Sequence, residues 1–260
     1  MLPVAPPPIR LRILAWLPFV ASAALIAFGI HLAMSSPALG FGLLVFALLI
    51  YVPDLYSRAK VRRMLISGDV ESVLRAWDAA IERIPHRETV APIMLATALA
   101  ANGMIERARS ALDRARRGEA WEAAIEHRLF VETLLEAFDG DRQRAVSTAE
   151  ELERLPLPPA GPFLIQRVVL LRTALGALAR AFAHVARVGD VELLERAARK
   201  SPLVHWAMRY AAAVIRIERG ERSKAEKLLE HAPNWPTESA FRSFHLELSA
   251  ELQQGQIGST

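Results

Sequence analysis

Apolar and polar positions fall into two regimes along this chain. From Ile13 to Val52 no charged side chain occurs, and apolar residues follow one another almost without a break. After Pro53 they recur at spacings of three and four with charged residues between them, the period of helices that bury one face and wet the other. Strand-like alternation is absent, so the pattern predicts an all-α fold with a lipid-facing beginning and a water-facing remainder.

The leading run of about forty residues has room for two bilayer-spanning helices at roughly twenty residues each. Met34-Ser35-Ser36-Pro37 interrupts it midway, which predicts a hairpin over residues 13–53. The first span, Ile13 to Met34, carries Pro18 in its opening turns, where proline costs least. The second, Ala38 to Val52, is shorter and crosses only by borrowing Ser35, Ser36 and the stretch to Tyr56, or by tilting, thinning the bilayer or re-entering. Arg10 and Arg12 precede the run, and Arg58, Lys60, Arg62 and Arg63 follow it. Basic flanks resist export, so the 1–12 tail and everything after the hairpin are expected on the cytoplasmic side of a cell (inner or plasma) membrane. The basic cluster at 58–63 reads first as topogenic charge, and attraction of anionic lipid headgroups is its second reading. Trp16, Tyr51 and Tyr56 fall near the interfaces, and His31 reads as an interfacial imidazole at the outer end. A cleaved signal peptide is the competing reading. Against it, the apolar run is too long for a signal core and a second apolar segment follows at once.

The water-facing remainder repeats. Gly68-Asp69-Val70 precedes Val73, Trp77, Ala80 and Pro85, and about 35 residues later Gly103-Met104-Ile105 precedes Ala108, Leu112 and Ala115 at matching offsets. Further copies begin at Gly140-Asp141 (Ala145, Ala149, Leu152), Gly189-Asp190-Val191 (Leu194, Ala198) and Gly220-Glu221-Arg222 (Ala225, Leu229, Ala232). Each small residue falls where two helices cross closely. A single helix pair cannot bury its own apolar face, whereas stacked pairs share a continuous core.

On these residues the chain resembles the tetratricopeptide repeat family, built of two antiparallel helices per unit. Gly68, Asp69, Val73, Trp77, Ala80 and Pro85 match that family's turn, small, aromatic, small and terminal proline positions. The resemblance covers residues 54–236 and implies an α-solenoid of about five helix pairs. Leu155-Pro156-Leu157-Pro158-Pro159 predicts a break in the stack near 155–162. Thr237 to Gln254, with Phe241, Phe244, Leu248 and Leu252 on one face, reads as a capping helix, and residues 255–260 as a disordered tail. Burial of Trp77 in such a core predicts a loss of about 3–5 kcal/mol for Trp77→Ala.

In the resembled family, partners lie along the groove made by the first helix of each pair. Carried onto this chain, that implies a partner groove of Ile93, Thr97 and Ala100, then His127, Phe130 and Leu134, then Tyr210, Val214 and Ile217. Family members that clamp C-terminal carboxylates use Lys and Asn there, and this chain has neither at those positions. The largely apolar lining implies an apolar or amphipathic protein segment as the partner.

Composition narrows the field further. The 260 residues contain no cysteine, which excludes disulfides and thiolate catalysis. Lys and Arg number 32 against 28 Asp and Glu, and with Arg10 and Arg12 the only charges before Asp54 the remainder is nearly balanced. A mixed surface of that kind argues against nucleic acid as a partner. No phosphate loop, paired-histidine zinc motif or nucleophile elbow occurs, so no catalytic, metal-binding or cofactor-binding residue is assigned. The arginines at 107, 109, 114, 116 and 117 form the densest basic patch, read as a solvated face, with contact to lipid headgroups or an acidic partner as the alternative. Together these features predict a membrane-anchored interaction module or scaffold. A structural subunit of a larger membrane assembly is the alternative, and a membrane enzyme the remotest.

Overall fold

The structure is a computed structural model that describes residues 31, 52, 56–81 and 84–257. The tail with Arg10 and Arg12 and both expected spans lie outside the described residues, apart from His31 and Val52, which are helical and exposed. Two compact units divide the chain, residues 1–61 and 62–260. In the first, residues 56–61 are helical, with Arg58 and Lys60 exposed.

In the second unit every described regular element is helical. Residues 62–66 are followed by α1 (Val70–Ile81), α2 (Arg87–Ala101), α3 (Ile105–Ala115), α4 (Ile125–Asp139), α5 (Arg142–Arg154), α6 (Pro162–Phe182), α7 (Asp190–Lys200), α8 (His205–Glu218), α9 (Arg222–Leu229) and α10 (Ala240–Ile257), with a 3-10 turn at Pro202–Val204. The five turn glycines read from the sequence precede α1, α3, α5, α7 and α9, and all five hold φ between +72° and +92°. Left-handed backbone of this kind is open to glycine at no steric cost.

Helices α2 and α3, α4 and α5, α6 and α7, and α8 and α9 pack as hairpins, and α2, α4, α6 and α8 also touch one another in a row. This explains two kinds of helix in one chain. Helices of the row are covered on several sides: α8 buries Trp206, Ala207, Met208, Tyr210, Ala211, Ala212, Ala213 and Ile215. The second helices bury only a stripe, Ala108, Ala111 and Ala115 in α3 or Val191, Leu194 and Ala197 in α7, and keep a charged face in water. Many of the buried positions on these helices are alanine, among them Ala108, Ala111, Ala145, Ala177, Ala197 and Ala211.

The expected break near 155–162 is an irregular link from Leu155 to Gly161, yet α5 and α6 pack directly against each other across it. Arg172 closes the gap. Only 4% exposed, it donates to the carbonyls of Leu155 (2.7 Å) and Pro156 (3.2 Å) and pairs with Glu126 at 3.1 Å. A second inward ion pair joins Arg180 of α6 to Asp190 at 2.7 and 3.0 Å, and Asp190 also accepts the Arg187 backbone N–H at 2.8 Å. Burial alone would raise the Asp190 carboxyl. Its hydrogen bonds to Arg180 and Arg187 outweigh that and hold it below its ordinary value of 3.8. The stabilisation is therefore full above that ordinary value and is lost as pH falls through the lower folded value. Asp190→Asn is expected to cost about 2–3 kcal/mol at neutral pH, because it leaves the largely covered Arg180 guanidinium without its hydrogen-bonded counter-charge. In urea titrations the gap to the wild type should close in acid.

Trp77 packs on the core but is only partly buried. Its truncation is accordingly expected to cost about 1–3 kcal/mol, below the range for a fully buried aromatic. Among the described residues one helix, α6, is long and apolar enough to cross a membrane. Its second half is accounted for by packing inside the protein, where Leu175, Ala177, Leu178 and Ala179 are fully buried beside the hydrogen-bonded Arg172. Its first half projects apolar side chains, with Phe163 84% exposed.

Candidate partner groove

The row α2–α4–α6–α8 presents the face on which the expected groove residues fall, and the chain's own C-terminal segment lies across much of it. The path begins after α9. Pro233 and Trp235 rest on Gly68, so closely that a Cβ at that glycine would come within 3.0 Å of both side chains. Glu238 pairs with Arg107 (3.1 Å), which also holds Glu71 at 2.6 Å. The Ser239 hydroxyl donates to the Asn102 carbonyl (2.7 Å) and the Ala240 N–H to the Gly103 carbonyl (2.8 Å), so α10 starts on the α2–α3 turn.

From there α10 lays Phe241 and Phe244 across the row. The Phe241 ring lies 4.9 Å from Tyr210 of α8, 5.0 Å from Trp235 and 5.1 Å from Phe138 of α4. Phe244 lies 5.4 Å from Phe182 of α6. Trp235 Nε1–H donates to the Tyr210 hydroxyl at 2.8 Å, and Trp206 Nε1–H to the Ile66 carbonyl at 2.7 Å. Burial pushes the Tyr210 phenol up to about 12, against the lowering effect of the Trp235 hydrogen bond. Tyr210 thus serves as a neutral packing residue. The arrangement is a third layer of aromatic side chains, wider than a cap on the last helix pair. Its helix also runs further than the expected 237–254: residues 255–257 belong to α10, and 258–260 lie outside the described residues.

The expected groove residues consequently separate into two groups. Ile93, Ala100, Leu134 and Tyr210 are buried, and Thr97 is partly buried with its hydroxyl donating to its own helix at the Ile93 carbonyl, 2.7 Å away. His127 is exposed and Phe130 partly buried. Val214 and Ile217 are partly buried and line a cavity of about 310 Å³, which α10 borders but does not fill. Phe138, Phe182, Phe244 and Leu248 complete its apolar floor, and Arg142, His184, Glu218, Glu247 and Glu251 form its rim. His184 Nδ1 contacts Glu218, and Glu247 and Glu251 make no ion pair among the described residues.

Phe138 and Phe182 escaped the sequence reading, which placed the groove on the first helices alone and gave Phe244 and Leu248 only to the face of the capping helix. The aromatic density after Pro233 was the available signal: Trp235, Phe241 and Phe244 are more apolar surface than a terminal cap needs. Among the described residues no three His, Asp or Glu side chains are grouped to hold a metal ion. No family model matches the chain, and no curated protein or solved structure matches it.

Proposed function

We propose that this protein is a membrane-anchored interaction scaffold, held by an N-terminal hairpin over residues 13–53, with a tetratricopeptide-like α-solenoid on the cytoplasmic side that binds a protein segment. The observation that carries the reading is the succession of an uncharged run, Ile13 to Val52, and helix pairs that each turn at a glycine of positive φ. The row of first helices, each in contact with the next, agrees with it. No motif for reaction chemistry stands in the sequence, and a tether has its own physical use. Confining a binder to the membrane plane raises its effective concentration toward other membrane proteins, so a modest surface suffices.

Fractionation tests the anchor. The full chain is expected in the membrane pellet after alkaline extraction, and recovery in the aqueous fraction would refute the proposal. Affinity purification of the crosslinked full chain in mild detergent tests the role. One dominant partner, retained when residues 13–52 are exchanged for an unrelated hairpin, is the result for a scaffold. A stoichiometric set that dissolves on that exchange would instead mark a subunit assembled through its spans.

A further inference from the structure

The cavity beside α10 has an electrostatic character that neither its floor nor its rim shows alone. Helices α4, α6 and α8 run side by side and all end at it: Phe138 and Gly140 lie at the end of α4, Phe182 and His184 at the end of α6, and Ile217 and Glu218 at the end of α8. A helix C-terminus carries the negative end of its dipole, and three of them converge here, with the last-turn carbonyls of α6 and α8 accepting N–H groups of the turns that follow. Three carboxylates add to that field, Glu218, Glu247 and Glu251, against Arg142 as the one basic rim residue and His184 beside Glu218. Glu247 and Glu251 stand one turn apart on α10, where like charges repel and folding gains nothing from them. Beneath this rim lie three phenylalanine rings, Phe138, Phe182 and Phe244, with Phe138 and Phe182 edge-to-face at 5.5 Å.

We propose that this cavity is a docking site for a basic–apolar peptide segment, which seats one large apolar side chain on the Phe138–Phe182–Phe244 floor and lays a Lys or Arg against Glu247 and Glu251. This deepens the scaffold reading and rests on it for the kind of ligand. The volume of about 310 Å³ suits a single leucine- or phenylalanine-sized anchor, the usual centre of a peptide interface. The cation supplies what the helix ends and the carboxylates lack, a counter-charge, and it selects against acidic amphipathic segments of the same apolar pattern.

The test uses the full chain in nanodiscs of uncharged lipid and two labelled helical peptides with the same leucine and phenylalanine face, one carrying lysines on its polar face and the other glutamates. Empty nanodiscs supply the blank. Fluorescence anisotropy should show the lysine peptide binding and the glutamate peptide failing to bind. The double variant Glu247→Lys/Glu251→Lys, at exposed positions, should weaken the lysine peptide by about tenfold or more at low salt, with the difference shrinking as salt screens it. Val214→Trp, which fills the cavity, should abolish binding with an unchanged circular dichroism spectrum. Equal binding of both peptides, no binding of either, or an unchanged affinity for the lysine peptide in both variants would overturn the assignment. The scaffold reading fails separately, through recovery of the chain in the aqueous fraction or loss of its partner with the hairpin.

Discussion

Phe241→Ala is expected to remove about 3–5 kcal/mol of stability, the upper range for truncating a buried aromatic side chain. The ring is fully buried and has three aromatic neighbours at 4.9–5.1 Å, namely Tyr210, Trp235 and Phe138. Those neighbours come from α8, from the link after α9 and from α4, so no single element can collapse into the space left behind. The cost therefore includes the lost burial, the cavity and the edge-on ring contacts, each of the last contributing about 0.5–1.5 kcal/mol. Urea unfolding of the full chain in mild detergent, followed by tryptophan fluorescence, measures it. Trp206 and Trp235 belong to the same cluster and report its loss directly. Phe163→Ala is the control: at 84% exposure it should stay within about 0.5 kcal/mol of the wild type. A loss below about 1 kcal/mol for Phe241→Ala would mean that the C-terminal segment does not occupy this face in solution.

The same cluster shows which parts of the molecule the chain announces and which it conceals. Helix pairs are legible because their causes are local. Apolar residues at spacings of three and four make the stripe on α3 or α7, and a glycine at each turn supplies the positive φ that Gly103 and Gly140 adopt. Where the final helix docks is not local. Phe241 meets Phe138, and Ser239 meets Asn102, across more than a hundred residues, and no periodicity encodes such a pairing. For that reason Tyr210 reads from sequence as a groove residue open to partners, although Trp235 and Phe241 cover it. Arg172 was equally hidden. A lone arginine in an apolar stretch resembles any snorkelling side chain until the carbonyls of Leu155 and Pro156 arrive beside it. The open cavity is the remainder of these pairings: Val214 and Ile217 were placed by the resemblance, while the phenylalanines beneath them come from three separate helices.

Gly103→Ala should be nearly as damaging as the loss of the Phe241 ring, at about 3–5 kcal/mol, and far worse than the same change at Gly220. Both glycines close a helix hairpin with almost the same backbone, φ +74° at Gly103 and +72° at Gly220. A new methyl group at Gly220 would meet nothing within 4 Å, so only the left-handed backbone opposes it, at about 1–2 kcal/mol. At Gly103 it would lie 2.9 Å from the Ser239 hydroxyl and 3.0 Å from the Phe241 backbone nitrogen. Backbone cannot rotate away as a side chain can, so the start of α10 must lift, and it would take with it the Ala240 hydrogen bond to Gly103 and the Ser239 hydrogen bond to Asn102. Parallel urea titrations of the two variants isolate the second role of Gly103, since the conformational strain is common to both. Equal losses would show that the C-terminal segment does not press on this turn. A difference of about 2 kcal/mol or more would show that a glycine placed to let one helix turn into the next also provides the seat on which the last helix begins.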